Sequence, residues 1–221
     1  MNSIIERVNA VCRAVRSMNQ EPISFKKLVA QIRREFKSKD FNLAFRSKKE
    51  KFLDECEFYV NAYYDPEDDY LGETPIEVVI HHNFTDEDKF YPDQITDFLI
   101  QIFDAVVHEY KHQRQSQNRS YEVYSDHTQT PYSEYLADPD EVDAYAFSIA
   151  IELLRFMSKE RAQKYMSRIT VMSKMRNKGT FFVSPNLNAY VGNFGLNPLV
   201  KNLAKKVYKH LESLDKKHIF M

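Results

Sequence analysis

The sequence has few glycines and few cysteines, and each scarcity excludes a class of protein. Its four glycines form no phosphate-binding loop and no dinucleotide-binding fingerprint. Its two cysteines, Cys12 and Cys56, are not in a CxxC spacing, which excludes a disulfide framework and a four-cysteine zinc site. We interpret them as two free, buried thiols.

Long apolar runs are also lacking. No run approaches the roughly 18 to 20 residues that a membrane-spanning helix requires. The first residues include Glu6 and Arg13, at positions where a signal peptide would have an uninterrupted apolar core. We therefore expect a cytoplasmic protein without a membrane segment.

The 221 residues do contain enough apolar side chains for a core, with 43% hydrophobic and 14% aromatic residues. The net charge of −1 conceals three blocks of alternating sign. Residues 26–51 have ten basic and three acidic side chains. Residues 52–110 have one basic and sixteen acidic side chains, and residues 155–217 have fourteen basic and three acidic side chains. We expect these blocks to neutralise one another on folding, so charge alone does not indicate a nucleic-acid-binding protein.

Hydrophobic spacing in the first half predicts helices around a small sheet. Two amphipathic helices are expected before residue 40. Alternation at 56–64 and a branched run at 76–82 predict an antiparallel hairpin, to which 41–45 adds a third strand. After Pro92, seven apolar residues at helical spacing predict a helix with a broad buried face that runs to about Gln115.

The second half is predicted to be helical apart from two irregular stretches. A long polar loop is expected up to Asp140, and a second irregular segment at 177–197. Helices are expected to begin near Pro139, at Ser158 and at Pro198, the last of them ending at about Lys216.

These predictions give an α+β, mostly α-helical fold with a small antiparallel sheet packed beside the helix that follows Pro92. We expect a single domain, 1–221. Its parts are an N-terminal helical part at 1–40, the sheet with the central helices at 41–157, and a C-terminal helical part at 158–221.

One pattern on the buried helix indicates metal chemistry. Residues 108–112 read HEYKH, an HExxH pattern. Positions i and i+4 of a helix lie on the same side, so His108 and His112 can present two imidazoles to one metal ion, with Glu109 beside them. A catalytic zinc ion has three protein ligands and a water molecule, and a neighbouring carboxylate can take a proton from that water.

A third ligand is expected from the acidic start of the helix near Pro139. Glu141 is our choice, because Ala144, three residues later, leaves room for two helices to approach each other. Asp143 lies about 200° away around the same helix. Asp138 and Asp140 are expected to precede or cap it.

The HEYKH pattern followed by PDEVDAYAFSIAIELL resembles the zincin metallopeptidases, and among them the gluzincin arrangement of HExxH with a glutamate on a following helix. The resemblance covers about residues 95–155, and it extends to small zincin-like proteins carried by tailed phages. It implies a zincin-like fold in which His108, His112 and Glu141 bind zinc and Glu109 is the general base. Iron, manganese and cobalt are alternative metals for such ligands.

Two departures narrow the resemblance. A metzincin has glycine and histidine at the positions of Gln115 and Asn118. A thermolysin-like enzyme has aspartate at the position of Tyr145, four residues after the ligand glutamate. Neither departure removes one of the expected ligands, but together they leave the subfamily unassigned.

Supporting residues can also be predicted. Asp104, one turn before His108, can accept the second ring N–H of a ligand histidine and so fix its tautomer. The strand at 76–82 is a candidate edge for binding an extended substrate, and its His81 and His82 are interpreted as ordinary strand residues. Hydrogen-bond donors to a developing oxyanion are expected from the loop, where the candidates are His127, Tyr121, Tyr124 and Tyr132.

The function predicted from these residues is that of a zinc metallopeptidase, a peptide-bond hydrolase acting on a peptide or protein substrate. The first alternative is a catalytically inactive zincin-like protein with a binding or structural role, for instance within a virion. A phage-encoded protein would be found in the host cytoplasm or the virion. A second alternative is a nucleic-acid-binding protein that uses the basic segments, although we do not expect nucleic acid as the partner.

Overall fold

The structure is a computed structural model that describes residues 2–66, 69, 74–85, 87–120, 131–169, 182–195 and 197–221. The chain forms two compact units, Met1–Val123 with Phe220–Met221, and Tyr124–Ile219. The fold is α+β and mostly helical, as predicted from the sequence. None of the helices in the described residues has an apolar stretch long enough to cross a membrane.

The first unit begins with the two amphipathic helices that the sequence predicts. Helix α1 spans Asn2–Met18, and helix α2 spans Phe25–Ser38 after the short strand β1, Ile23–Ser24. Apolar residues recur every three or four positions in each helix, so they lie on one face, and this face is buried. The buried residues are Ile5, Val8, Val11, Cys12 and Val15 in α1, and Leu28, Val29, Ile32 and Phe36 in α2.

A three-stranded sheet forms the centre of this unit. Strand β2 spans Leu43–Lys49, β3 spans Phe58–Tyr63 and β4 spans Ile76–His82, in the order β2-β4-β3. The predicted hairpin is confirmed, since β3 and β4 are antiparallel. The sheet is not antiparallel throughout, because β2 pairs with β4 in parallel.

This order corrects the expectation that the strand at 76–82 is an edge. Strand β4 lies between β2 and β3, so its main-chain groups are used on both sides. Its residues Ile76, Val78 and Ile80 are buried, in keeping with a central strand. The edges of this sheet are β2 and β3.

A second, two-stranded pairing was not predicted. Strand β5, Lys89–Phe90, pairs antiparallel with β1. Each of these strands has only two residues, so neither shows a periodic pattern in the sequence. Phe90 stacks on Phe84, with ring centroids 4.3 Å apart, and also packs against Phe98.

Helix α3 spans Pro92–Asn118. Its first turn has Pro92 and a capping box in which Tyr91 N donates to Gln94 Oε1. The predicted apolar stripe is buried against α1 and β3. It consists of Ile95, Phe98, Leu99, Ile102, Phe103, Val106 and Val107.

The second unit is helical in its described residues. Helix α4 spans Tyr132–Ala137, α5 spans Pro139–Phe156, α6 spans Lys159–Ser167, α7 spans Pro185–Phe194 and α8 spans Pro198–Ser213, with a 3-10 turn at Lys216–His218. Helices α5 and α8 pack together through apolar stripes. Ser158, Ser184 and Asn197 accept a main-chain N–H at the starts of α6, α7 and α8.

Two segments predicted to be irregular contain helices. Helix α7 lies within 177–197, where Leu187, Tyr190 and Val191 are buried on one face. Helix α4 lies within the predicted loop before Asp140. The boundary at residues 123 and 124 falls inside the predicted part 41–157, and the single-domain organisation stays a prediction.

Candidate metal centre

Helix α3 places the two histidines of the HExxH pattern one turn apart on the same side. The Nε2 atoms of His108 and His112 are 3.1 Å apart. Their ring centroids are 4.9 Å apart, and the ring planes are inclined by 71°. In the absence of an ion this contact is a hydrogen bond when one ring has its proton on Nε2.

The separation of the two Nε2 atoms suits a shared metal ion. Zinc–nitrogen bonds are about 2.0 to 2.1 Å long, so two nitrogen ligands of a tetrahedral zinc ion are roughly 3.3 Å apart. The observed 3.1 Å is close to that value. The pair therefore needs only a small adjustment to bind one ion through both Nε2 atoms.

The surroundings of His108 keep its ring neutral. Burial, and to a lesser extent the neighbouring His112, lowers the pKa of His108 to about 3. A neutral imidazole is the form that coordinates a metal. This electrostatic environment is therefore compatible with a ligand role.

Glu109 is held at the edge of the sheet. Its Oε2 accepts a hydrogen bond from Tyr64 N, directly after β3, at 3.0 Å. Two turns earlier on α3, Gln101 Oε1 accepts from Val60 N at 3.0 Å. Helix α3 thus lies along the outer edge of β3, and one carboxylate oxygen of Glu109 is fixed by a main-chain donor.

Tyr64 is itself anchored by a buried carboxylate that the sequence analysis did not single out. Tyr64 Oη donates to Asp69 Oδ2 at 2.7 Å, and Thr74 N donates to Asp69 Oδ1 at 3.1 Å. Asp69 is fully buried. The only signal in the sequence is that Tyr64 ends the alternation of β3 immediately before an acidic turn.

Asp104 lies on α3, one turn before His108, and its side chain is partly buried. A carboxylate at this position is on the side of the helix that carries the histidines. Its proposed bond to a ligand ring stays a prediction.

In the second unit, the acidic residues around the start of α5 have different environments. Asp138 is the N-cap, and its Oδ1 accepts from Asp140 N at 2.8 Å. Asp143 accepts from His210 Nε2 at 2.9 Å, and Lys206 Nζ lies 3.5 Å from the same oxygen.

Glu141 lies in the first turn of α5 and is 7% exposed, so its carboxylate is largely removed from water. Ala144, one turn further on, is fully buried, and Tyr145 packs edge-on against Tyr190.

Three of the four candidate oxyanion donors, Tyr121, Tyr124 and His127, lie outside the described residues. Tyr132 is in α4 and is 59% exposed, with its ring stacked on that of Tyr135 at 6.3 Å. Their role stays a prediction.

His81 and His82 have the environments of strand residues. His81 Nδ1 is 2.9 Å from Glu50 Oε1, and its ring stacks on that of Tyr59 at 4.3 Å. His82 Nδ1 accepts from Phe84 N at 3.1 Å, and its ring packs against that of Phe25 at 4.1 Å. Both side chains are thus engaged by neighbours within the first unit.

Comparisons with known proteins add no further assignment. No protein-family model matches this sequence, and neither a curated protein nor a solved structure is found to match it.

Proposed function

We propose that this protein is a zinc-dependent peptide-bond hydrolase with a zincin-like fold, in which His108, His112 and Glu141 bind the ion and Glu109 is the general base. The observation that carries the proposal is the 3.1 Å separation of the two histidine Nε2 atoms, beside a carboxylate held by a main-chain donor.

The choice of ligands is supported by the chemistry of the donor set. Two neutral imidazoles and one carboxylate are a ligand set that suits zinc and leaves a position for water. Asp143 is a weaker choice because it is already paired with His210 and Lys206.

A bound zinc ion supplies an acidified water and a polarised carbonyl group. Glu109 takes a proton from the attacking water through the carboxylate oxygen that Tyr64 N does not hold. It then returns this proton to the amine nitrogen as the C–N bond breaks. The contact with Tyr64 restricts rotation of the carboxylate during both transfers.

The metal content per chain tests the ligand set. We expect one zinc ion per wild-type chain by mass spectrometry, loss of zinc in Glu141→Ala, and retention in Asp143→Ala, a matched change two residues away on the same helix. A wild-type chain that binds no metal under zinc-replete conditions, or equal losses in the two variants, would contradict the proposal.

Hydrolysis of a peptide library tests the role of Glu109. We expect Glu109→Gln to keep its zinc and to lose about 100- to 10,000-fold in turnover, the usual contribution of a general base. Asp97→Asn, which changes an exposed carboxylate three turns earlier on the same helix, is the control and should leave turnover unchanged. A wild type that binds zinc but cleaves no peptide would instead support the inactive zincin-like alternative.

A further inference from the structure

The two edges of the central sheet differ in how their main-chain groups are used. Asn42 O accepts from Ile76 N, and Glu50 N donates to His82 O, so even-numbered residues around β2 pair with β4. The odd-numbered residues therefore direct their main-chain groups to the outer edge. On that edge lie Leu43, Phe45, Ser47 and Lys49.

No strand among the described residues covers this outer edge. Phe45 O accepts from the Arg33 guanidinium at 2.8 Å. Further along, Ser47 and Lys49 are exposed. An edge of this kind can pair with an extended chain from another molecule.

A cavity of about 390 Å³ lies beside the start of the same strand. Phe36, Phe41, Leu43 and Phe45 form its apolar wall. The rings pack closely, with centroids 5.2 Å apart for Phe36 and Phe41 and 5.6 Å apart for Phe36 and Phe45. This volume is within the range of small ligand sites, and the wall suits an apolar side chain.

The polar lining of the cavity has one sign of charge. Arg33 and Lys37, one turn apart on α2, both line it, and no carboxylate is among the described residues that do so. The two side chains are exposed on the surface of the helix. These cations would therefore attract an anionic group next to the apolar wall, and no carboxylate among the described lining residues would repel it.

We infer that the outer edge of β2 and this cavity bind an extended acidic peptide segment of a protein partner, which adds as a strand to the sheet. Main-chain pairing with Ser47 and Lys49 supplies affinity, and the cavity receives one apolar side chain. Carboxylates flanking that side chain pair with Arg33 and Lys37. This surface is separate from Glu109, which lies at the opposite edge of the sheet, so the inference does not depend on hydrolysis.

A labelled hexapeptide in which glutamate alternates with leucine or phenylalanine tests the inference. We expect fluorescence anisotropy with the full chain to show binding that is at least about tenfold tighter than for the same peptide with lysine in place of glutamate. Two further peptides have N-methyl groups on one or the other set of alternate main-chain nitrogens. One of the two should bind about tenfold more weakly, because it lacks the N–H donors that face β2.

Variants of α2 locate the site. Lys37→Glu should weaken binding of the acidic hexapeptide by about tenfold or more, whereas Lys27→Glu, an equal charge change on the same helix outside the cavity, should change it less than about twofold. Equal effects of the two variants, or equal binding of the acidic and basic peptides, would overturn the inference. Self-association through β2, detected as a dimer by sedimentation and abolished by Ser47→Pro, would overturn it in favour of a second copy of the chain.

Discussion

The two edges of the sheet in the first unit show how the same structural element can be closed or left open. At the β3 edge, Val60 N and Tyr64 N are used by Gln101 and Glu109 of α3. At the β2 edge, an arginine side chain holds one carbonyl, and residues 46–49 of the strand are exposed. Side chains of α3 therefore bond to main-chain donors of the β3 edge, and one of these donors holds a carboxylate. The β2 edge can still pair with another strand.

The two edges also differ in the charges that lie beside them. Beyond the β3 edge, Asp69 is buried and accepts a hydrogen bond from Tyr64 Oη. The β2 edge carries Arg46 and Lys48, which pair with Glu77 and Glu50, and lies beside the cations of α2. Exposed lysines and arginines on an edge discourage unspecific pairing with other strands.

The largest expected effect comes from the strand that supports both edges. Ile80 is fully buried in β4, and Ile80→Ala should lower the free energy of unfolding by about 2 to 5 kcal/mol, because it removes buried methyl groups and leaves a cavity. Val79→Ala, on the half-buried opposite face, should cost about 1 kcal/mol or less. Urea denaturation measures both, and equal losses would contradict the assignment of the buried face.

A smaller effect is expected from the anchor of the β3 edge. Tyr64→Phe leaves Asp69 Oδ2 buried without its donor, which should cost about 1 to 3 kcal/mol of stability. It should also lower turnover while zinc content is unchanged, because Tyr64 N no longer has a fixed position beside Glu109. The control is Tyr63→Phe, whose side chain is 54% exposed. If both variants behave alike in urea denaturation and turnover, Asp69 does not support the edge.

The smallest effect is a pH dependence at the far end of β4. Burial, and secondarily the charge of Lys49, lowers the pKa of His82 in the folded state. The unfolded chain therefore takes up the proton more readily, and stability that is fully present above about pH 6.5 is lost as the pH falls below it.

His82→Gln removes one titrating group and should reduce the slope by at most about 1.4 kcal/mol per pH unit, while the contribution of His108 remains. The free energy of unfolding measured in urea between pH 5 and pH 8 gives the slope for each protein. An unchanged slope in the variant would show that the loss of stability in acid comes from other groups.

Much of the fold could be predicted because the helices have strong local patterns. The stripe of α3, the cap at Ser158 and the start of α5 are all marked by spacing and capping residues. Helix α7 was missed because its sequence, PNLNAYVGNF, is rich in asparagine and contains a glycine. It forms because Ser184 caps it and because the buried Glu152 accepts hydrogen bonds from Ser184 and Asn186.

The strand arrangement shows the limit of pattern reasoning. Alternation, with the stretch DPEDDYLGET as the expected turn between them, predicted β3 and β4 and their antiparallel pairing. It did not predict that β2 pairs with β4 in parallel and makes it a central strand. Alternation indicates which face of a strand is buried but not which strand lies beside it.

For the candidate site, the sequence by itself determined the pair of histidines and the carboxylate beside them, because a helix places residues four apart on one side. Only the tertiary structure decided how Glu109 is held, since its donor is the main-chain N–H of Tyr64, 45 residues earlier in the chain. Every residue except proline has such an N–H, so no side-chain pattern marks the one that is used. The tertiary structure also decided that the outer edge of β2 is open, because no other part of the described chain pairs with it.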